Sequence, residues 1–193
     1  NALTSVTIPD TVTTLGNNAF ADNSLSTVTI PDSVTSIGNG TFLDNALTWI
    51  IFAGNAPSTF TVAGPTGSLG TGAGLIVYYY AGAAGFTSPS WNGYATRTIS
   101  AAESVLTLTP TGPLGAGKAP YALTVTVRDN THAAVAGVPV AFRVPNGVTA
   151  SAGSCTTTVA GTCEITLTSS RAATYRITAT IGADPPTISQ DVT

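Results

Sequence analysis

Apolar positions in the first fifty residues return at a fixed interval. Leu3, Leu25 and Leu47 stand 22 residues apart, as do Val6, Val28 and Ile50, and Ile8, Ile30 and Phe52. The same offset relates Pro9-Asp10 to Pro31-Asp32, Val12 to Val34, Leu15-Gly16 to Ile37-Gly38, Phe20 to Phe42, and Asp22-Asn23 to Asp44-Asn45. Such a period predicts a solenoid with one strand per coil, in which each coil buries its apolar side only by stacking on the next. The predicted strands run from Leu3 to Ile8, Leu25 to Ile30 and Leu47 to Phe52. Side chains change face at every step of a strand, so Val6 and Ile8 point inward. Ser5/Thr7, Thr27/Thr29 and Trp49/Ile51 then point outward as one continuous strip.

The repeat also predicts its own corners. Proline presets φ and aspartate can bond backbone amides just beyond it, so each Pro-Asp pair makes a tight turn out of the strand. Val12/Leu15 and Val34/Ile37 form a second apolar side, Gly16 and Gly38 permit the next bend, and Phe20 and Phe42 plug the coil from a short helical turn. The repeat decays after Phe52. Residues 53 to 74 read as loop, Leu75 to Tyr80 as a fourth strand, Phe86 to Tyr94 as a compact turn or short helix, and Thr96 to Ile99 as a closing strand. Residues 53 to 100 are expected to cap the solenoid with their aromatics.

From Ser104 the period changes to two, with turn signals every eight to twelve residues, which predicts an all-β sandwich. Its candidate strands are Ser104 to Thr109, Tyr121 to Arg128, Val138 to Val144, Cys155 to Val159, Thr162 to Thr168, Thr174 to Ile181 and Thr187 to Thr193. In the second of these, Leu123, Val125 and Val127 alternate with Thr124, Thr126 and Arg128. Pro139 is expected at a strand's first residues or on an edge, where no ladder donor is needed. The expected division is residues 1–100 for coils and cap, and 101–193 for the sandwich.

Charge follows the same division. Only Asp10, Asp22, Asp32, Asp44 and Arg97 are charged in the first hundred residues, whereas five cations and five anions balance in the remainder, so the net charge of −3 belongs to the repeat half. The charged fraction is 8%, against about a quarter in ordinary globular proteins. With no basic run there is nothing to neutralise phosphates, and nucleic acid is not an expected partner. The most apolar stretch, Leu75 to Phe86, is too short and glycine-rich to span a bilayer, so no membrane insertion is expected. The chain begins inside a repeat, and an uncapped coil would expose core, so further coils before Asn1 and a further domain beyond Thr193 are expected.

LTSVTIPDTVTTLGNNAFADNS followed by LSTVTIPDSVTSIGNGTFLDNA resembles the BspA-type leucine-rich repeats of bacterial surface proteins. LTVTVRDNTHAAVAGVPVAFRV, TTTVAGTCEITLTSS and YRITATIG resemble the bacterial Ig-like domains of invasin and intimin relatives. The first resemblance implies a non-catalytic adhesion module on the bacterial cell surface, with no family catalytic residues. The second implies a stalk. Together they imply a mainly β protein: a solenoid of 22-residue coils with a C-terminal cap, then an Ig-like β-sandwich.

Several candidate sites follow. The outward strip Thr7, Thr27, Thr29, Trp49 and Ile51 is a candidate ligand surface, because aromatic anchors are enriched in recognition sites. Its expected partner is a protein or glycan on a host, matrix or neighbouring cell. The plainer reading is that the cap or the sandwich covers the strip. A mechanical spacer presenting another adhesive domain is the alternative function, and the threonine array also raises ice binding. Cys155 and Cys163 flank TTTVAGT, where opposite hairpin positions would allow a bridge, with free thiols or a metal pair as alternatives. A disulfide would place the protein in an extracytoplasmic compartment. His132 stands alone in RDNTHAA, so no catalytic set is assembled and no enzyme activity is expected. Gly64 to Gly74 lacks the Lys-Ser/Thr of a phosphate loop. No cofactor is expected, although Asp10 with Asp32 and Asp22 with Asp44 would stack one coil apart and could hold calcium. Asn39-Gly40-Thr41 is an N-glycosylation sequon.

Overall fold

The structure is a computed structural model that describes residues 2–62, 64–65, 67–70, 74–109, 120–182 and 187–192. The reading of Gly64 to Gly74 as loop falls partly outside these residues. The chain forms two compact units, Asn1–Thr98 and Ile99–Thr193. Among the described residues there are strands and turns but no helix.

The first unit contains β1 (Thr14–Leu15), β2 (Thr27–Ile30), β3 (Ser36–Ile37), β4 (Trp49–Phe52), β5 (Ile76–Tyr80), β6 (Ser90–Trp91) and β7 (Tyr94–Ile99). β2, β4 and β5 lie in parallel register within a sheet ordered β2-β4-β5-β7-β6, and β1 pairs in parallel with β3 on a second side. Val28, Ile50 and Val77 stand in line along the ladder, as do Ile30, Phe52 and Tyr79. With Leu25, Val34, Ile37 and Phe42 they form the buried core.

The first coil departs from expectation. Residues 3–8 do not form a strand, and the coil is tied to the next by the Ser24 amide donating to the Leu3 carbonyl and by β1. Ile8 and Leu15 are nonetheless buried. The short helical turn expected at Phe20 and Phe42 is also absent. Asn18, Asp22 and Asp44 adopt φ of 56°, 55° and 53°, a left-handed conformation that ends helical propagation. The amides of Asn18, Phe20 and Asp22 instead donate across to the carbonyls of Asn39, Thr41 and Leu43, at 2.9, 2.8 and 3.0 Å. Inter-coil bonds alternate with single local turns, in which the Ala19 and Ala21 amides donate to Gly16 and Asn18.

Two polar devices hold the coils together. Asn45 accepts from the Leu25 amide at 3.0 Å through Oδ1 and donates through Nδ2 to the carbonyls of Phe20 (2.8 Å) and Phe42 (3.1 Å). Asn23 likewise accepts from the Leu3 amide and donates to the Phe20 carbonyl. Thr41 is fully buried, and its hydroxyl donates to Gly38 at 2.9 Å and to Gly16 of the preceding coil at 3.0 Å. The sequon's threonine is therefore turned into the coil. Gly38 is required by close approach, because a Cβ there would lie 2.3 Å from Asn17 Oδ1. Thr41→Val keeps the shape but takes the hydroxyl donor from the Gly38 carbonyl and leaves the Gly16 carbonyl only the Ala19 amide, at an expected cost of about 1–2 kcal/mol. Tryptophan emission during thermal unfolding measures this, since Trp49 and Trp91 both lie in the first unit. An unchanged transition would show that the hydroxyl is dispensable.

The segment after Phe52 completes a third coil rather than forming plain loop. Thr59 bridges Ser36 in parallel, Ser58 donates to the Thr35 carbonyl, and Phe42 donates to the Ser68 carbonyl. The buried Ser68 hydroxyl bonds the Ile37 carbonyl at 3.1 Å, taking the part that Thr41 plays one coil earlier. This coil is longer, so Trp49 meets Ile76 whereas Thr27 met Trp49. The cap then closes with aromatics: the Trp91 ring lies 4.3 Å from Phe60, 4.9 Å from Phe86 and 5.8 Å from Phe52. Phe86 to Tyr94, expected as a turn or short helix, carries the hairpin of β6 and β7. Tyr94 is wholly buried. Its hydroxyl accepts from the Leu69 amide at 3.2 Å and donates to the Gly70 carbonyl at 2.9 Å.

The second unit contains β8 (Val105–Thr109), β9 (Tyr121–Thr126), β10 (Pro139–Arg143), β11 (Val148–Ala150), β12 (Ser154–Thr156), β13 (Thr162–Ser169), β14 (Tyr175–Ile181) and β15 (Thr187–Val192). They form two four-stranded sheets, ordered β12-β10-β14-β15 and β11-β13-β9-β8, with antiparallel pairing throughout. Leu106, Leu108, Leu123, Val125, Ile165 and Leu167 from one sheet, with Val140, Ile177, Ala179 and Ile181 from the other, make the core. Pro139 opens β10, where its missing donor costs no ladder bond. The three-residue β11 lies outside the predicted strands.

Candidate ligand-binding surface

The solenoid ladder sets the geometry of the outward strip. Thr27 is in register with Trp49 and Trp49 with Ile76, while Thr29 is in register with Ile51 and Ile51 with Tyr78. Neighbouring strands in such a ladder stand about 4.8 Å apart. The backbone beneath is fixed by the Thr48 amide donating to Ser26 at 2.9 Å and the Ile76 amide donating to Thr48 at 3.1 Å.

The five predicted residues do not share one environment. Thr27, Thr29 and Trp49 are half-buried and adjacent on β2 and β4. Thr7 is exposed but belongs to the coil without a strand, so the ladder does not join it to the others. Ile51 is fully buried, in line with Tyr78, which is 6% exposed, and near the buried Tyr80. Burial pushes the Tyr80 hydroxyl well above the usual tyrosine range. Alternation decided which way Ile51 points, but not whether that side is open. The open part of the strip is thus Thr27, Thr29 and Trp49, with Ile76 beside them.

Cys155 and Cys163 form a disulfide with Cα atoms 5.9 Å apart. They are not opposite members of one hairpin, as expected. Cys155 faces Val140 in β10, whereas Cys163 faces Val125 in β9, so the bond joins the two sheets. The intervening turn closes through the Gly161 amide to Thr158 and the Thr158 amide to Thr162, both at 2.8 Å. Gly161 sits at φ 70°, and a Cβ there would come within 2.8 Å of Ala134, so this turn tolerates little else.

His132 pairs through Nδ1 with Glu103 at 2.7 Å and is largely exposed. The better-built feature of its loop is Asp129, which is fully buried. Asp129 Oδ1 accepts from the Thr131 amide (2.8 Å), the Thr131 hydroxyl (2.7 Å) and the Ala133 amide (3.0 Å). This is the work of a turn-forming carboxylate rather than a general base. Among the described residues, no group of three or more His, Cys, Asp or Glu is placed to hold a metal. Asp22 and Asp44 serve as left-handed turn residues. Asn23, Asn45 and Tyr94 lay outside the predicted sites, although the two asparagines recur at the repeat spacing.

The fold defines an all-β protein built from a solenoid of about 22-residue coils and an immunoglobulin-like domain. Residues 1–62 match the family described as BspA type leucine rich repeat region (6 copies), and residues 103–193 match bacterial Ig-like domain (group 1). Both are families of surface domains typical of bacterial surface proteins, and neither is a typical enzyme family. Among solved structures, the D00-D0 domain of intimin is 21% identical at a TM-score of 0.42, covering 51% of this chain and 52% of that one. The D0-D1 domain of intimin is 26% identical at a TM-score of 0.40, covering 46% of each. The chain spans about half the length of these structures. No curated protein matches it.

Proposed function

We propose that this chain is a non-catalytic adhesive module displayed at a bacterial cell surface, with the solenoid strip as ligand surface and the Ig-like unit as stalk. The observation that carries this reading is Trp49, a half-open indole in register with Thr27 on the outward sheet face. Large aromatics in such positions contribute much of the energy of recognition. The partner is a protein or glycan outside the cell, and the disulfide between Cys155 and Cys163 favours an oxidising compartment. The ligand surface is Thr27, Thr29 and Trp49, with exposed Thr7 lying beyond the ladder and Ile51 closed off on the same face.

Adhesion of the full chain to plates coated with matrix extract or mucin tests the proposal. Trp49→Ala is expected to weaken retention by about 10-fold or more while the protein stays folded. Retention that ignores Trp49 would instead favour the spacer reading. The Ig-like unit favours that alternative too, because its buried polar groups at Asp129 and Thr157 bond the chain itself.

A further inference from the structure

Resting on the reading of the strip as a ligand surface, we infer that its ligand is a neutral polysaccharide, with the Trp49 indole as stacking platform and Thr27 and Thr29 as hydroxyl partners. Three observations lead there. The first is charge. Within residues 1–100 the only charged side chains are Asp10, Asp22, Asp32, Asp44 and Arg97, and none occupies an outward strip position. The aspartates stand in turns and bends between strands. An acidic peptide, a nucleic acid or an anionic headgroup would need cations that the strip does not offer.

The second observation is unspent hydrogen-bonding capacity. The Thr41 hydroxyl bonds Gly16 and Gly38, and the Thr48 hydroxyl bonds Ser26 at 3.2 Å. Among the described residues the Thr27 and Thr29 hydroxyls have no protein partner, and neither has the Trp49 indole N–H. The third is rigidity. β2 and β4 are locked in parallel register, and threonine's branched Cβ restricts its χ1, so these donors are held in place before a ligand arrives. A pyranose presents an apolar C–H face to an indole and hydroxyls at its edge, matching a ring with Thr27 in register on the next strand, about 4.8 Å away, and Thr29 diagonal to it.

The test titrates the full chain with hexasaccharides of glucose, mannose and N-acetylglucosamine, and with an oligogalacturonate as anionic contrast, using calorimetry and tryptophan emission. Trp91 is 6% exposed, so a change in emission reports mainly on Trp49. At least one neutral hexasaccharide is expected to bind saturably, and the oligogalacturonate is not. Trp49→Ala should weaken that binding at least about 10-fold, Trp49→Phe less, and Thr27→Val about 3-fold to 10-fold. Absence of neutral-sugar binding, binding of the anionic sugar alone, or binding that survives Trp49→Ala each overturns the inference. If adhesion to protein-coated plates still depends on Trp49, the ligand surface stands and its partner is a protein. If no adhesion depends on Trp49, both readings fail.

Discussion

Tyr94→Ala is expected to remove about 4–5 kcal/mol from the first unit and to lower its unfolding temperature by roughly 20 °C or more. The residue is wholly buried, and its ring packs edge-on to Phe60 at 5.9 Å. Truncation therefore leaves a cavity at the centre of the cap. It also strands the Leu69 amide and leaves the Gly70 carbonyl only the longer bond from the Gly64 amide. Tyr94→Phe separates the two effects, since it keeps the ring and is expected to cost only about 1–3 kcal/mol. Burial raises the Tyr94 hydroxyl above its ordinary pKa, opposed by the bond from the Leu69 backbone. The folded state thus holds this proton more tightly than the unfolded state. Stability should be unaffected below about pH 10 and fall as pH rises past it. Tyr80 acts in the same direction, so Tyr94→Phe makes that fall shallower without abolishing it. Tryptophan-detected unfolding across pH 8–11 is the measurement. A Tyr94→Phe variant as stable as the parent would contradict the double hydrogen bond.

Removing the disulfide is expected to be the next largest effect, and to be confined to the second unit. Cys155 and Cys163 are 8 residues apart, and closing a loop of that size restricts the unfolded chain by about 2–3 kcal/mol. In a domain of this size, that is roughly 10–20 °C in unfolding temperature. Cys155→Ser with Cys163→Ser, followed by calorimetry, should lower one transition and leave the tryptophan-detected transition of the first unit in place. Joint movement of both would show that the units unfold as one. Intact-mass measurement with and without reductant checks the bond itself.

Periodicity was the most legible property of this chain. Val28, Ile50 and Val77 align as the spacing and the later strand require, because an apolar residue at a repeated inward position has one place to be buried. Strand alternation was equally legible at Leu123, Val125 and Val127, all fully buried. What escaped reading depended on contacts between distant segments. Residues 53–74 looked like loop because they lack the Pro-Asp corner and second apolar pair, yet Thr59, Ser58 and Ser68 continue the coil through backbone bonds that any residue can make. Cys155 and Cys163 looked like hairpin partners because eight residues separate them, but the strand carrying Cys155 leaves for the opposite sheet. At the candidate site, Trp49 and Ile51 were indistinguishable by alternation. One is half-open and the other closed, a difference set by neighbours rather than by period.

The place of β7 in the sheet bears on how the solenoid resists proteolysis. Arg97 is the only lysine or arginine in the first hundred residues, and it lies within β7, beyond the short stretch that pairs with β6. Proteases cut segments that can leave the fold and extend into an active site, which a strand of a sheet cannot do without local opening first. A trypsin-like enzyme thus meets about a hundred residues of exposed solenoid with one cleavable bond, and that bond is held inside the sheet.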